Sequence, residues 1–262
     1  MTIGSILRAG ARVLVVAILL SGCASQANPG AQAIRETLQQ AAAAAEAEGD
    51  YAAAVNHYGN LADRRPDDID ATLGLARNLR YSGRAKLAVE VLDKAAAKFS
   101  DRVPFVVERG KANLAIGNVN EAIGFLATAR AKDERNWEIY AALGIAYDLT
   151  ESFDKARESY GRALQLSKDN PVVLNNMAIS AALSGDVERA IATLENAPQA
   201  ARHSPQIRQN LALFYGIKGD MEKAEALAKM DLDEASVRNN LAVFSRFRAS
   251  QPRPPIPATR SQ

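Results

Sequence analysis

The sequence has very few of the residues that usually build catalytic and metal sites. Among its 262 residues there are one cysteine, two histidines and one tryptophan. A single cysteine excludes a disulfide within the chain, and His57 and His203 lie far apart. No cluster of cysteine, histidine or carboxylate residues has the spacing of metal ligands. A glycine-rich phosphate loop and an activated serine are also missing, so the sequence predicts neither an enzyme nor a metal or other cofactor.

An excess of charge of either sign is missing as well. The chain has 32 basic and 30 acidic residues, which argues against nucleic acid as a partner because nucleic-acid-binding proteins carry a basic patch. Aromatic residues make up 6% of the chain and apolar residues 48%, a composition that suits small, closely packed helices. Since no region is rich in strand-forming residues, the expected fold class is all-α.

The sequence has no long apolar run, but a short one stands near the N-terminus. Val13 to Leu20 follows Arg8 and Arg12; it is too short to span a bilayer but fits the apolar core of an export signal. The run leads into Leu20 to Cys23, which resembles the lipobox of bacterial lipoproteins. That resemblance implies a cleaved signal peptide at residues 1–22 and lipid attached to Cys23. The alternative is an ordinary signal peptide followed by an unrelated cysteine.

Two segments are predicted to lie outside any repeat. Residues 23–34 are rich in small and polar residues and are expected to form a flexible, lipidated tether. Ala24 stands where an Asp would favour retention in the inner membrane, so the lipoprotein resemblance implies anchoring on the periplasmic side of the outer membrane. Residues 249–262 contain four prolines and are expected to be an extended, disordered tail; a polyproline ligand is the alternative.

The strongest pattern is a period of 34 residues. An alanine recurs at this period in six successive units. A second small residue stands twelve positions before each of these alanines. A glycine stands five positions before each of them, except in the fourth unit, where Glu151 replaces the glycine. Small residues let paired helices approach closely, and a glycine can end the first helix in a left-handed turn. This is the period of the helix-turn-helix tetratricopeptide repeat. The recurring alanines are Ala54, Ala88, Ala122, Ala156, Ala190 and Ala224.

The segment 137–170 resembles the tetratricopeptide consensus best among the units. Its matching residues are Tyr140, Leu143, Gly144, Tyr147, Phe153, Ala156, Tyr160 and Ala163. The resemblance covers residues 35–248 and implies a right-handed superhelical solenoid of six units followed by a capping helix at 235–248. In the fifth unit, Pro198 is expected to end its helix early. The aromatic residues Trp137, Tyr140 and Tyr147 are interpreted as packing between helices, with a ligand-stacking cluster as the alternative.

In this repeat family the first helix of each unit lines a concave groove, and the resemblance implies that partners bind there. The early part of the groove is expected to be basic and the later part apolar, which would suit a partner with an acidic stretch followed by an apolar or amphipathic segment. Alternatively, the arginines are solvated and the apolar residues are partly buried by the curvature. Asn176, Asn210 and Asn240 recur at one phase and could also bind an extended peptide backbone, with packing between helices as the alternative. The predicted groove residues are Arg77, Arg80, Tyr81, Lys111, Ile145, Leu149, Asn175, Asn176, Ile179, Leu183, Asn210 and Leu213.

A narrower resemblance lies near the C-terminus. Residues 207–213, with Gly219, residues 224–226 and residues 231–232, are similar to the closing units of the tight-adherence (Flp pilus) assembly lipoproteins of the TadD-like family. This implies an outer-membrane adaptor that supports assembly or localisation of a secretin through protein contacts. One alternative is an adaptor for outer-membrane protein insertion or for peptidoglycan hydrolases. Another is a cell-wall enzyme, for which the groove offers Asp70, Glu138 and Asp148. The sequence does not fix the oligomeric state.

Overall fold

The computed structural model describes residues 29–250, which fold into helices with no strand in that range. The signal peptide, Cys23, the first part of the predicted tether and the tail beyond Ser250 lie outside the described residues. The helices are α1 Pro29–Glu48, α2 Tyr51–Arg64, α3 Ile69–Tyr81, α4 Ala85–Phe99, α5 Val103–Ala115, α6 Val119–Lys132, α7 Trp137–Leu149, α8 Phe153–Leu166, α9 Pro171–Leu183, α10 Val187–Glu195, α11 Gln199–Arg202, α12 Pro205–Lys218, α13 Met221–Ala228 and α14 Glu234–Ser250.

Consecutive helices pair into hairpins, and the hairpins stack into a solenoid. The pairs α1 with α2, α3 with α4, α5 with α6, α7 with α8, α9 with α10 and α12 with α13 form the six units. The first helices α3, α5, α7 and α9 also contact one another in series, and α14 packs on α12 and α13. The predicted all-α tetratricopeptide solenoid is therefore confirmed. Buried apolar side chains form successive clusters along the array rather than one centre, as expected where each repeat contacts only its neighbours.

The recurring alanines lie where the two helices of a unit meet. All six, from Ala54 to Ala224, have side chains that are 0% exposed. The small residue twelve positions earlier lies on the facing helix and is buried in each unit. In the fourth unit this position is Gly144, and a Cβ built there would come within 2.5 Å of the Tyr160 ring. The small residues of the 34-residue pattern are therefore required because the two helices of each unit approach closely at these positions.

Each first helix is followed by a residue in the left-handed region. In five units this residue is the predicted glycine, with φ between 74° at Gly49 and 101° at Gly219. In the fourth unit Glu151 adopts the same conformation with φ 55°, although a side chain with a Cβ is strained there. The turn geometry is therefore kept in every unit, and the fourth unit keeps it at a cost in free energy.

The fifth unit ends early, as its proline predicts. Helix α10 ends at Glu195, and Pro198 stands immediately before the four-residue helix α11. Proline has no backbone N–H and its ring clashes with the preceding turn, so it cannot lie inside a helix without breaking it. The second helix of this unit is consequently split into two short pieces.

The helical array is longer at both ends than the sequence pattern indicates. Helix α1 begins at Pro29, so residues 29–34, which were predicted to belong to a flexible tether, are helical. Proline is well tolerated in the first turn because the N–H groups there have no intrahelical acceptor, and residues 31–33, which follow Gly30, are good helix formers. At the other end, α14 runs to Ser250, two residues into the predicted tail.

Candidate functional site

The first helices of the second to fifth units line an open groove with a volume of about 810 Å³. Helix α3 supplies its early wall, α5 and α7 its floor, and α9 its late edge. Residues three, four and seven apart on an α-helix share one face, so side chains at repeated unit positions converge on this concave surface. Seven of the twelve predicted groove residues line this cavity, namely Arg77, Arg80, Tyr81, Lys111, Ile145, Leu149 and Asn176.

The early part of the groove, on α3 and α5, is electrically neutral rather than basic. Each predicted cation is paired with a carboxylate from a neighbouring first helix. Arg77 Nη2 lies 2.9 Å from Glu46 Oε1, and Arg80 Nε lies 3.1 Å from Glu108 Oε1. Lys111 is hydrogen-bonded to Glu138. The expectation of a basic early groove is corrected accordingly, because the partner of each cation lies in an adjacent unit.

Glu46 is the most heavily bonded of these carboxylates. It accepts hydrogen bonds from Arg77, from Asn78 at 2.5 Å and from the Tyr58 hydroxyl at 3.3 Å. Burial alone would raise its pKa, but the hydrogen bonds from Asn78 and Arg77 outweigh burial and hold the pKa of Glu46 below its usual range. The Glu46–Arg77 ion pair is therefore an ionised, structural contact between the first two units.

Burial is deepest at the Arg80–Glu108 pair. The side chain of Arg80 is 16% exposed and that of Glu108 is 9% exposed. The guanidinium also lies 4.6 Å from the centre of the Tyr81 ring, close enough for a cation–π contact. Because its Nε donates to Glu108 and its charge is paired inside the protein, Arg80 is poorly suited to capture an acidic partner.

Downstream of these ion pairs the groove is apolar and unpartnered within residues 29–250. Leu149 is 56% exposed and Val172 is 54% exposed, and Ile145 lies beside them at 37%. The half-buried Trp137 adds an aromatic wall. Large aliphatic side chains this exposed, gathered on one concave surface, are typical of a protein-binding site. Sequence analysis missed Trp137 as a groove residue, since aromatic residues at its position usually pack between helices.

The remaining five predicted groove residues lie outside this cavity. Asn175 is only 3% exposed and accepts a hydrogen bond from Asn210 Nδ2 at 2.6 Å. These two amides therefore join neighbouring units. Of the three asparagines expected to bind a peptide backbone, Asn176, Asn210 and Asn240, Asn210 thus has a partner inside the protein. Ile179 and Leu213 are half-buried and pack against the core of the last units, whereas Leu183 is exposed at the end of α9.

The aromatic residues Trp137, Tyr140 and Tyr147 do not form one ligand-stacking cluster. All three pack in part against the core of the fourth unit. Trp137 faces the groove, whereas Tyr140 and Tyr147 line a second cavity formed by α6, α7 and α8. The packing interpretation holds for each ring, and the two tyrosines contribute to a different surface.

Of the three carboxylates considered for catalysis, Asp148 and Glu138 have structural partners, and Asp70 is exposed and does not line the cavity. Asp148 accepts hydrogen bonds from the Tyr160 hydroxyl at 2.8 Å and from the Ser180 hydroxyl at 2.6 Å, and burial raises its pKa. Glu138 pairs with Lys111. Within residues 29–250, no group of three or more histidine, cysteine, aspartate or glutamate residues is placed to hold a metal ion. No helix in the same range is long and apolar enough to cross a membrane.

Comparisons with known proteins agree with this architecture. A tetratricopeptide repeat family model matches residues 45–104 and 150–214, and a second tetratricopeptide repeat model matches residues 107–171. The human tetratricopeptide repeat protein 13 is 23% identical over 154 residues, which cover 56% of this chain. The chain spans only 18% of the length of that human protein.

Solved structures show the same fold at low sequence identity. A thermophilic TPR protein of Thermus thermophilus is 21% identical with a TM-score of 0.59, covering 67% of this chain and 97% of that one. The APC/C hetero-tetramer Cut9-Hcn1 has a TM-score of 0.63 at 17% identity, covering 78% of this chain and 41% of that one. The pilF protein of Pseudomonas aeruginosa has a TM-score of 0.55 at 17% identity, covering 82% and 99%. The chain belongs to the tetratricopeptide repeat family, whose members are typically non-catalytic scaffolds for protein binding.

Proposed function

We propose that this protein is a lipid-anchored adaptor of the outer membrane that holds a partner protein in the groove of its second to fifth units. The observation that carries the proposal is the exposed apolar surface of Ile145, Leu149 and Val172 beside a neutralised wall of ion pairs. The groove has a volume of about 810 Å³, which lies in the usual range for ligand-binding pockets. The lipobox resemblance at Cys23 and the likeness to the tight-adherence lipoproteins support the membrane anchor and a role in assembling or localising an Flp pilus secretin.

The groove favours an apolar or amphipathic segment over an acidic one. Arg77, Arg80 and Lys111 already have carboxylate partners, so an acidic segment would compete with Glu46, Glu108 and Glu138 for the same donors. A helix with aliphatic residues three and four positions apart presents an apolar stripe of the required kind. The preferred partner segment is therefore an amphipathic helix whose apolar face covers Leu149 and its neighbours.

The anchor would keep this groove near the membrane surface. If lipid is attached to Cys23, five residues separate it from α1 at Pro29, and the distance from Cys23 to Pro29 is at most about 20 Å for a fully extended chain. Each buried CH₂ of an acyl chain contributes about 0.8 kcal/mol to membrane binding, so several chains retain a protein stably. A partner bound in the groove would be held within reach of an outer-membrane channel.

Affinity purification from solubilised membranes tests this proposal. Wild type should recover a secretin and its pilus-assembly neighbours, and Cys23→Ser should reduce that recovery because the protein leaves the membrane. Leu149→Asp should abolish it, because a charge in the apolar groove loses its hydration when the partner binds. Leu87→Asp is the matched control and should leave the recovery unchanged, since Leu87 is 45% exposed on the second helix α4 and lies outside the groove. Recovery of outer-membrane insertion proteins or peptidoglycan hydrolases without a secretin would contradict the proposed role.

A further inference from the structure

A second cavity lies on the opposite face of α7 from the groove. It has a volume of about 750 Å³ and is lined by α6, α7 and α8. On α7, Ile145 and Leu149 face the groove, whereas Tyr140 and Tyr147 face this cavity. These two sets differ by about half a turn around a helix with 3.6 residues per turn. The two cavities are therefore separate surfaces of the same repeat.

Cations and tyrosines form two rungs across this second cavity. Lys155 Nζ lies 5.7 Å from the centre of the Tyr147 ring, and Arg162 Cζ lies 5.9 Å from the centre of the Tyr140 ring. Within each helix the two members are seven residues apart, which places the rungs about 10 Å from one another. Arg130 of α6 adds a third cation at the side. The positive surface is consequently elongated rather than a single point.

The cations of this surface lack the carboxylate partners that neutralise the groove. Within residues 29–250, Arg130, Lys155 and Arg162 form no ion pair, and Glu158 is the one acidic residue that lines the cavity. All three cations are exposed, and Arg162 donates one hydrogen bond to the neutral side chain of Gln165. Contacts with the tyrosine rings are weak, about 0.5–1 kcal/mol at exposed sites, whereas a hydrogen bond between charged groups is stronger. These cations therefore remain available to an anionic ligand.

We propose that this cavity binds an acidic peptide segment of a protein partner, independently of the groove. Carboxylates three residues apart on a peptide in the polyproline II conformation lie on the same side of it and about 9 Å apart, which is close to the spacing of the two rungs. One carboxylate would meet Lys155, the carboxylate three residues further on would meet Arg162, and Arg130 would add a third positive charge at the side. A compact anion such as a single phosphate is too small to bridge both rungs. The adaptor therefore has two sites of different chemistry, an apolar one inside and a basic one outside.

Binding of an acidic peptide to the full chain in a nonionic detergent tests the proposal. The probe is a fluorescein-labelled peptide of about eight glutamates, long enough to reach both rungs. The triple variant Arg130→Glu, Lys155→Glu and Arg162→Glu should bind the peptide at least about tenfold more weakly at low salt, that is with a higher Kd, since like charges then face one another. The neutral variant Lys155→Gln with Arg162→Gln should weaken it several-fold, and it guards against a folding defect in the triple variant.

A second triple variant supplies the matched control. Lys86→Glu, Lys94→Glu and Arg202→Glu change the net charge equally at exposed positions outside both cavities, and this protein should bind the probe as wild type does. An equal loss in both triple variants would overturn the proposal, because net charge alone would then account for binding. Equally strong binding of inorganic phosphate at the same residues would also overturn it, and so would the absence of binding to wild type. Leu149→Asp should leave probe binding unchanged, which separates this site from the groove.

Discussion

Replacing Gly144 with alanine should destabilise the fourth unit, because the added methyl group has no space. A Cβ at this position would lie 2.5 Å from Tyr160 Cε1, 2.6 Å from Cζ and 2.8 Å from Cδ1. Carbon atoms normally rest about 3.5–4.0 Å apart, so the overlap is roughly 1 Å. Tyr160 cannot yield easily, since it is 1% exposed and its hydroxyl donates to Asp148 at 2.8 Å. Either α7 and α8 separate or this hydrogen bond breaks.

The size of the effect follows from three contributions. Overpacking a core costs about 1–3 kcal/mol, and distortion of the bond to the Asp148 carboxylate adds to that cost. Alanine is favoured over glycine inside a helix by up to about 1 kcal/mol, which offsets part of the loss. We therefore expect Gly144→Ala to lower the free energy of unfolding by about 1–3 kcal/mol.

A matched variant isolates the steric clash from helix propensity. Gly124 also lies within a helix, α6, and a Cβ there would meet nothing within 4 Å. Gly124→Ala should therefore raise stability by about 0.5–1 kcal/mol. Urea denaturation followed by far-UV circular dichroism measures both variants against wild type. If Gly144→Ala proved as stable as Gly124→Ala, the close approach of α7 and α8 would be refuted.

Three further variants test individual contacts. Glu151→Gly should stabilise the array by about 1 kcal/mol, because Glu151 is left-handed at φ 55° and glycine adopts that conformation without strain. Arg80→Glu should destabilise it by about 3 kcal/mol or more, since it places two carboxylates together where Glu108 is 9% exposed. Asp231→Asn should be less stable than wild type at neutral pH, because the hydrogen bonds from Arg208 hold the pKa of Asp231 below its usual range. That difference should be fully present above about pH 4 and should disappear as the pH falls through the folded-state pKa of Asp231.

Each of these variants has a result that would contradict its explanation. If contacts of the Glu151 side chain stabilised the turn, Glu151→Gly would lower the urea midpoint instead of raising it. Unchanged stability of Arg80→Glu would mean that Arg80 is solvated, as one interpretation of the sequence supposed. A stability difference between Asp231→Asn and wild type that persisted unchanged at about pH 2 would show that the ionised carboxylate is not its cause.

The fold was predictable from the sequence because the same close contact between two helices occurs in each of the six units. Ala54 to Ala224 and the preceding glycines each reflect a local requirement, namely a close helix approach or a left-handed turn, and such requirements restrict the residue at a fixed phase. Even the exception at Glu151 was visible, although its positive φ was not. The ends were less predictable, since helix α1 extends back to Pro29, outside the repeat pattern.

The character of the groove was only partly predictable, because charge depends on neighbours in other units. The sequence shows Arg80 on the inner face, but its partner Glu108 lies 28 residues away and becomes adjacent only when α3 packs on α5. In the same way the phase of Asn175 predicts an inward position, yet the contact with Asn210 removes it from the surface. The apolar residues Ile145 and Leu149 could be predicted more directly, since no partner within residues 29–250 covers them.

Site-specific photo-crosslinking in cells tests most directly whether the apolar groove is the partner-binding surface. A photoreactive phenylalanine analogue at Leu149 should form a discrete adduct with one protein, because this side chain is 56% exposed in the groove. The same analogue at Leu87, which is 45% exposed on α4 outside the groove, should form no such adduct. An adduct at Leu87 with none at Leu149 would contradict the account and would move the binding surface to the outer helices.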